Sequence, residues 1–353
     1  MIYKNANVNG RLVDIQTENG TIVAVGKLSG EGVDVKGYKV YPGLFDIHSH
    51  GCVGCDTMDG NHLTEMSEYL AKNGTTSWLP TTMTVAMEDI KKVVNADISN
   101  VTGANVVGFH AEGPYVSQKY KGAQNEAYII DPDIDTFSQL KNIKLITLAP
   151  ELPGAMEFVK QCTCPVSLGH TDASYDCAAE AIENGAVCIT HTFNAMAPLH
   201  HREPGSIGAA IDKNIYVQVI ADGIHLHPVM VRMLYRLFGA ERMILISDSM
   251  CATGVSDGVY MFGGQPINVK NSVARTHSGA IAGSTSTLFT CVKKAIEFGI
   301  PEADAFHMAS GTPAAMLGVK KGKIEAGYDA EFIAVDEKMN LAMCVVRGEM
   351  VSL

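Results

Sequence analysis

The chain has 353 residues, of which 46% are hydrophobic and 18% charged, and 27 Lys and Arg face 38 Asp and Glu for a formal net charge of −11. That balance belongs to a globular protein and excludes a disordered one, and the acidic surface argues against nucleic acid or an anionic membrane as the main partner. The length suits one large α/β domain with a small one, or two of ordinary size.

The chain opens on Met1-Ile2-Tyr3-Lys4-Asn5, without the basic-then-apolar pattern of a signal peptide, so a cytoplasmic location is expected. No uncharged apolar run reaches the ~18 residues that span a bilayer. Over the first forty residues, short apolar stretches (Ile2 to Val8, Leu12 to Ile15, Thr21 to Val25, Val33 to Val35) are broken by Gly and Asn, a pattern of short β-strands. Eight strand-like runs follow: Tyr38 to Ile47, Thr75 to Leu79, Val106 to His110, Lys144 to Leu148, Pro165 to Leu168, Ala186 to Thr190, Ile215 to Ile220 and Met243 to Ile246. Helical stretches such as His62 to Asn73, Ala173 to Asn184 and Val229 to Phe238 lie between them. Alternating strands and helices predict an α/β fold, a (β/α)8 TIM-type barrel. The rival, an open doubly wound sheet, lacks its glycine fingerprint after the first strand. Phe262-Gly263-Gly264-Gln265 reads as a hairpin turn, and the chain after Lys323 returns to short strands. The expected organisation is a barrel over 42–318 and a small β-sandwich domain formed by both chain ends, 1–41 and 319–353. Nine scattered cysteines read as reduced thiols; the lone Cys52-x-x-Cys55 lacks the second pair that a zinc ribbon needs.

The unusual polar residues fall where the predicted strands end. His48 and His50 follow the first strand, and in extended chain alternate side chains share a face, so both can grip one ion. Glu112 ends the third strand region, His170 the fifth, His191 the sixth and Asp248 the eighth. In a barrel these positions share the carboxyl-end rim, where catalysis sits. Several imidazoles and carboxylates suit one or two divalent ions of Zn, Fe, Mn or Co better than Mg or Ca. A bound cation brings water towards a pKa of ~7, and Asp248 can carry the proton to a leaving amine. This constellation specifies metal-assisted hydrolysis and leaves the substrate open.

At this point the chain resembles the amidohydrolase superfamily, and within it the N-acetylglucosamine-6-phosphate deacetylase family. The likeness lies in Pro42 to Gly51, Glu112-Gly113-Pro114, Gly169-His170-Thr171, His191 to Met196, Arg202-Glu203-Pro204-Gly205, Ala221 to His225, Ser247-Asp248, Ala282-Gly283-Ser284 and Gly327 to Glu331. The resemblance implies a metal on Glu112, His170 and His191, and a second held with help from His48 and His50. It implies Asp248 as acid/base and Glu112 in the bridging place that a carboxylated lysine fills in other superfamily members. It further implies that Asn194, Ala195, Arg202 and His225 contact a small amino-sugar phosphate, with Arg202 reaching a neighbouring subunit of a homodimer. The bland alternatives are a surface ion pair for Arg202 and a helix cap for His225. The chain departs from the family at Gln124, where many members have a histidine that polarises the acetyl carbonyl. An amide there donates a hydrogen bond to the developing oxyanion but supplies no positive charge. The galactosamine epimer remains an alternative substrate, and other amidohydrolase activity or a non-catalytic sugar-phosphate regulator lies further off.

Overall fold

The computed structural model describes residues 1–353. Each of the eight runs in the middle of the chain supplies a strand: β1 (Leu44–Ser49), β2 (Thr75–Pro80), β3 (Phe109–Glu112), β4 (Ile143–Leu148), β5 (Val166–Leu168), β6 (Ala186–Ile189), β7 (Tyr216–Ile220) and β8 (Met243–Ile246). β1 and β2 pair in parallel, and β3 to β8 form a second parallel sheet in sequence order. Single parallel bridges link the two sheets at both seams, Thr81 to His110 and Ser49 to Ser249. At the second seam the Asp248 N–H also donates to the His48 carbonyl at 2.9 Å.

Side chains alternate along these strands. Phe109 and Ala111, Ile146 and Leu148, Val217 and Val219, and Met243 and Leu245 join the large core shared with the helices. Their neighbours Leu145, Cys188, Ile220, Ile244 and Ile246 pack with Phe45, Ile47 and Leu79 in a separate apolar cluster. Burial on both faces explains why the strands read as continuous apolar runs. The helix Pro228–Phe238 shows the local logic. Pro228 starts it with a preset φ, the His227 side chain accepts the Val229 N–H, and Val231, Leu234 and Phe238 form the buried stripe.

The two chain ends come together in one hydrogen-bonded sheet of eight strands. The reason is Lys39–Pro42, which pairs with Ile2–Val8 on one side and with Phe332–Val335 on the other, so the ladder is unbroken. Tyr3, Ile15, Ile22, Phe332 and Val345 fill its core, with the Tyr3 and Phe332 rings edge to face at 4.8 Å. Buried Glu331 ties this sheet to β2, accepting from Thr76 Oγ1 (3.1 Å), Ser77 Oγ (2.7 Å) and Lys321 Nζ (2.7 Å). Gly258–Phe262 and Gln265–Lys270 form the expected hairpin. Its turn residues Gly263 and Gly264 have φ of 55° and 76°, the left-handed pair that a two-residue turn of this kind requires. All nine cysteines are free, and no helix is long and apolar enough to cross a membrane.

Candidate metal centre and substrate cavity

Six side chains from the carboxyl ends of five strands meet where a cavity of about 430 Å³ reaches the strands, and all but His48 line its floor. Glu112 is the centre of the group. Its Oε1 lies 3.2 Å from His48 Nε2, 3.2 Å from His170 Nε2 and 3.0 Å from His191 Nε2, and its Oε2 lies 3.3 Å from His50 Nε2. Asp248 Oδ1 stands 3.4 Å from His48 Nε2 and 3.3 Å from His50 Nε2. All six are buried. Two sets of three can each surround one ion, His48–His50–Glu112 and Glu112–His170–His191, and Glu112 belongs to both.

For three of the four histidines a distant acceptor decides which nitrogen turns to the centre. His48 Nδ1 donates to Gln218 Oε1 (3.0 Å), His50 Nδ1 to the Thr81 carbonyl (3.2 Å) and His170 Nδ1 to the Tyr120 carbonyl (3.0 Å). With the proton on Nδ1, the Nε2 lone pair faces inward, the tautomer a metal ligand needs. Nε2 of His48 and of His50 are 3.2 Å apart, and those of His170 and His191 are 3.1 Å apart. Facing lone pairs at that separation repel unless a proton or cation lies between them, so this donor set fits a divalent ion. Burial alone would push the Glu112 and Asp248 carboxyls up. The imidazoles facing them (His48 and His170 for Glu112, His48 and His50 for Asp248) outweigh it and hold both below the usual carboxylate range.

The backbone here is shaped for the site. His170, His191, Phe193, Ala195 and Asp248 all have positive φ, a conformation costly for side chains with a Cβ and found where function imposes it. Gly283 presses against the Asp248 turn: a Cβ there would lie 3.0 Å from the Asp248 carbonyl oxygen, and φ is 58°. That explains the Ala282-Gly283-Ser284 segment, whose Ser284 N–H donates to the same carbonyl at 2.6 Å.

The remaining sequence candidates divide. Gln124 is buried, accepts the Thr84 N–H through Oε1 (2.7 Å) and donates through Nε2 to Glu112 Oε2 (2.6 Å). Asn194, Ala195 and His225 line the cavity. The Asn194 N–H is bonded to the His191 carbonyl at 2.9 Å because the loop turns sharply after β6. The Ala195 N–H makes no hydrogen bond within the chain. Arg202 is exposed, stands outside the cavity lining and donates to His201 Nε2 at 2.7 Å. His227, not His225, caps the helix from Pro228, while Asp222 holds the His225 ring. Sequence reasoning passed over Met83, Lys119, Tyr120 and Ile281 in the cavity wall, and Gln218 behind His48. Gln218 carried a signal: it is the one polar side chain inside the apolar run Tyr216–Ile220.

Residues 40–351 match the amidohydrolase family. The N-acetylglucosamine-6-phosphate deacetylase of Vibrio furnissii is 36% identical, over 95% of this chain and 89% of its own length. The N-acetylgalactosamine-6-phosphate deacetylase of Escherichia coli O157:H7 is 33% identical, over 96% of this chain and 94% of its own. Among solved structures, a mutant N-acetyl-D-glucosamine-6-phosphate deacetylase of Mycobacterium smegmatis in complex with N-acetyl-D-glucosamine-6-phosphate superposes with a TM-score of 0.94, at 29% identity over 100% of this chain and 99% of that one.

Proposed function

The chain belongs to the amidohydrolase family, and from that premise we propose that it hydrolyses N-acetylglucosamine 6-phosphate to glucosamine 6-phosphate and acetate. One observation carries the reading: two three-residue metal sets share Glu112, with Asp248 beside them, at the floor of a cavity sized for a small ligand. Relatives acting on this substrate align along nearly the whole chain.

We read the eight parallel strands as one closed (β/α)8 barrel over 42–318, and 1–41 with 319–353 as the small β-domain. Glu112, His170 and His191 would hold one divalent ion and His48, His50 and Glu112 a second, of Zn, Fe, Mn or Co. A bound ion supplies Lewis acidity, acidifying water and polarising the acetyl carbonyl. Asp248 accepts the proton of the attacking water and returns it to the sugar nitrogen as the C–N bond breaks. Gln124 keeps Glu112 in place through one amide hydrogen. The other, whose partner is the Met83 thioether at 3.8 Å, is the donor for the acetyl oxygen. The Ala195 N–H and the Asn194 loop receive the phosphate end, and His225 donates to a sugar-phosphate oxygen. Arg202, outside its own cavity, serves the cavity of a neighbouring subunit in a homodimer, where its guanidinium fork matches phosphate oxygens. The assembly works in the cytoplasm.

The test is acetate release from N-acetylglucosamine 6-phosphate before chelation, after it and on metal restoration, with the unphosphorylated sugar and the galactosamine epimer alongside. Metal-dependent turnover that collapses without the phosphate is expected. Faster turnover of the epimer would assign the specificity of the Escherichia coli relative instead, and no acetate with any divalent metal would reject the reading.

A further inference from the structure

Two residues beyond β7, the chain makes a tight turn organised by one carboxylate. Asp222 Oδ1 accepts the N–H of Ile224 (2.8 Å) and of His225 (2.9 Å), and its Oδ2 accepts the Nδ1–H of His225 (2.7 Å). The two side chains are 1% and 5% exposed, so water does not compete for these bonds. The imidazole is thus fixed in position and carries its Nδ1 proton, while Nε2 makes no hydrogen bond within the chain and the ring lines the cavity.

The cavity's other charged groups are spoken for. Lys119 is paired with Asp172 at 2.7 Å, and Arg202 lies outside the lining. His50, Glu112, His170, His191 and Asp248 belong to the metal centre. His225 is therefore the basic side chain of the cavity that is neither part of the metal centre nor held by a surface ion pair.

We propose that Asp222 is a positioning residue that clamps the His225 ring so that its Nε2 faces the cavity and hydrogen-bonds an oxygen of the sugar phosphate. The proposal rests on the substrate reading above for the ligand, and on the chain's own geometry for the clamp. Burial would lower the basicity of His225, but the hydrogen bond and charge of Asp222 outweigh it and raise it on balance. A hydrogen bond between charged partners is the stronger kind, so the clamp holds the ring against rotation at a position carried on a loop. Because the contact is made to a part of the substrate remote from the scissile bond, it strengthens binding of ground and transition state alike and acts on KM.

The experiment joins kinetics to imidazole NMR. Asp222→Asn keeps the side-chain volume and is expected to raise KM by about tenfold or more while leaving kcat within about threefold, the signature of lost uniform binding. In a His225→Gln background, Asp222→Asn should add nothing further to KM, because coupled residues are non-additive. On the metal-loaded enzyme, 1H–15N spectra should show a slowly exchanging, downfield Nδ1 proton of His225 that vanishes in both His225→Gln and Asp222→Asn. An unchanged KM in Asp222→Asn, or the same KM rise in both backgrounds, would overturn the positioning role. A wild-type spectrum without that proton overturns the clamp whether or not either variant folds. If the wild type turns over no sugar phosphate, the substrate reading falls, and the proton signal alone decides the clamp.

Discussion

Replacing Gln124 with leucine removes two hydrogen bonds at a position that is 2% exposed. The Thr84 N–H loses its acceptor at 2.7 Å and Glu112 Oε2 its donor at 2.6 Å, and the burial leaves no water to replace them. A stranded buried N–H costs about 1–3 kcal/mol, and a lost hydrogen bond to a charged group about 1.5–3 kcal/mol. Leucine's more favourable transfer from water recovers about 1–2 kcal/mol of that sum. The expected loss of stability is therefore about 0.5–5 kcal/mol, centred on about 3 kcal/mol, read as a lower urea midpoint at unchanged slope. Glu112 sits in both metal sets, so loosening it should also weaken both, by about 10–100-fold in affinity, the usual effect of removing an outer partner of a ligand. The assay pairs urea unfolding of the metal-depleted protein with chelator competition on the loaded one. A Gln124→Leu protein with the wild-type midpoint and wild-type metal affinity would refute the assignment of Gln124 as the support of Glu112.

Three further outcomes are expected. Asp248→Asn should keep its metal content and lose about 10²–10⁴ in kcat; undiminished turnover with the metal retained would remove Asp248 from the chemistry. Metal analysis should find Glu112→Gln deficient in both ions, whereas the double change His48→Ala with His50→Ala should retain the ion held by Glu112, His170 and His191; equal losses in the two proteins would contradict the sharing of Glu112. The Leu28 and then the Asn5 N–H hold the Asp14 carboxyl below its usual range. A depressed folded pKa contributes stability above the unfolded value of about 4 that is lost as pH falls through the folded one. Asp14→Asn should accordingly unfold more easily than wild type at pH 6 and converge with it on acidification below about pH 4; a gap that widens on acidification would reverse the sign.

Much of this protein is legible in its sequence because the chemistry involved is local. Parallel strands buried on both faces are mostly apolar, so all eight stand out in order. The candidate ligands stand out because each polar side chain falls at the end of such a run, and the two-residue period of extended chain places His48 and His50 together. The hairpin at Gly263-Gly264 is equally local, since only glycine takes consecutive positive φ without strain. What required the tertiary structure was every property set by a partner far along the chain. Gln218, Thr81 and Tyr120, which turn the histidine nitrogens inward, lie 170, 31 and 50 residues from the rings they hold. The bond from Gln124 to Glu112 depends on how the loop after β3 folds back over the cavity, and the exclusion of Arg202 on the path of the separate loop after β6. The joining of the two chain ends in one ladder followed from Lys39–Pro42 pairing on both edges. Periodicity and residue type report which face a side chain takes, whereas a hydrogen bond needs two groups within about 3 Å, and only the folded chain brings such distant groups that close.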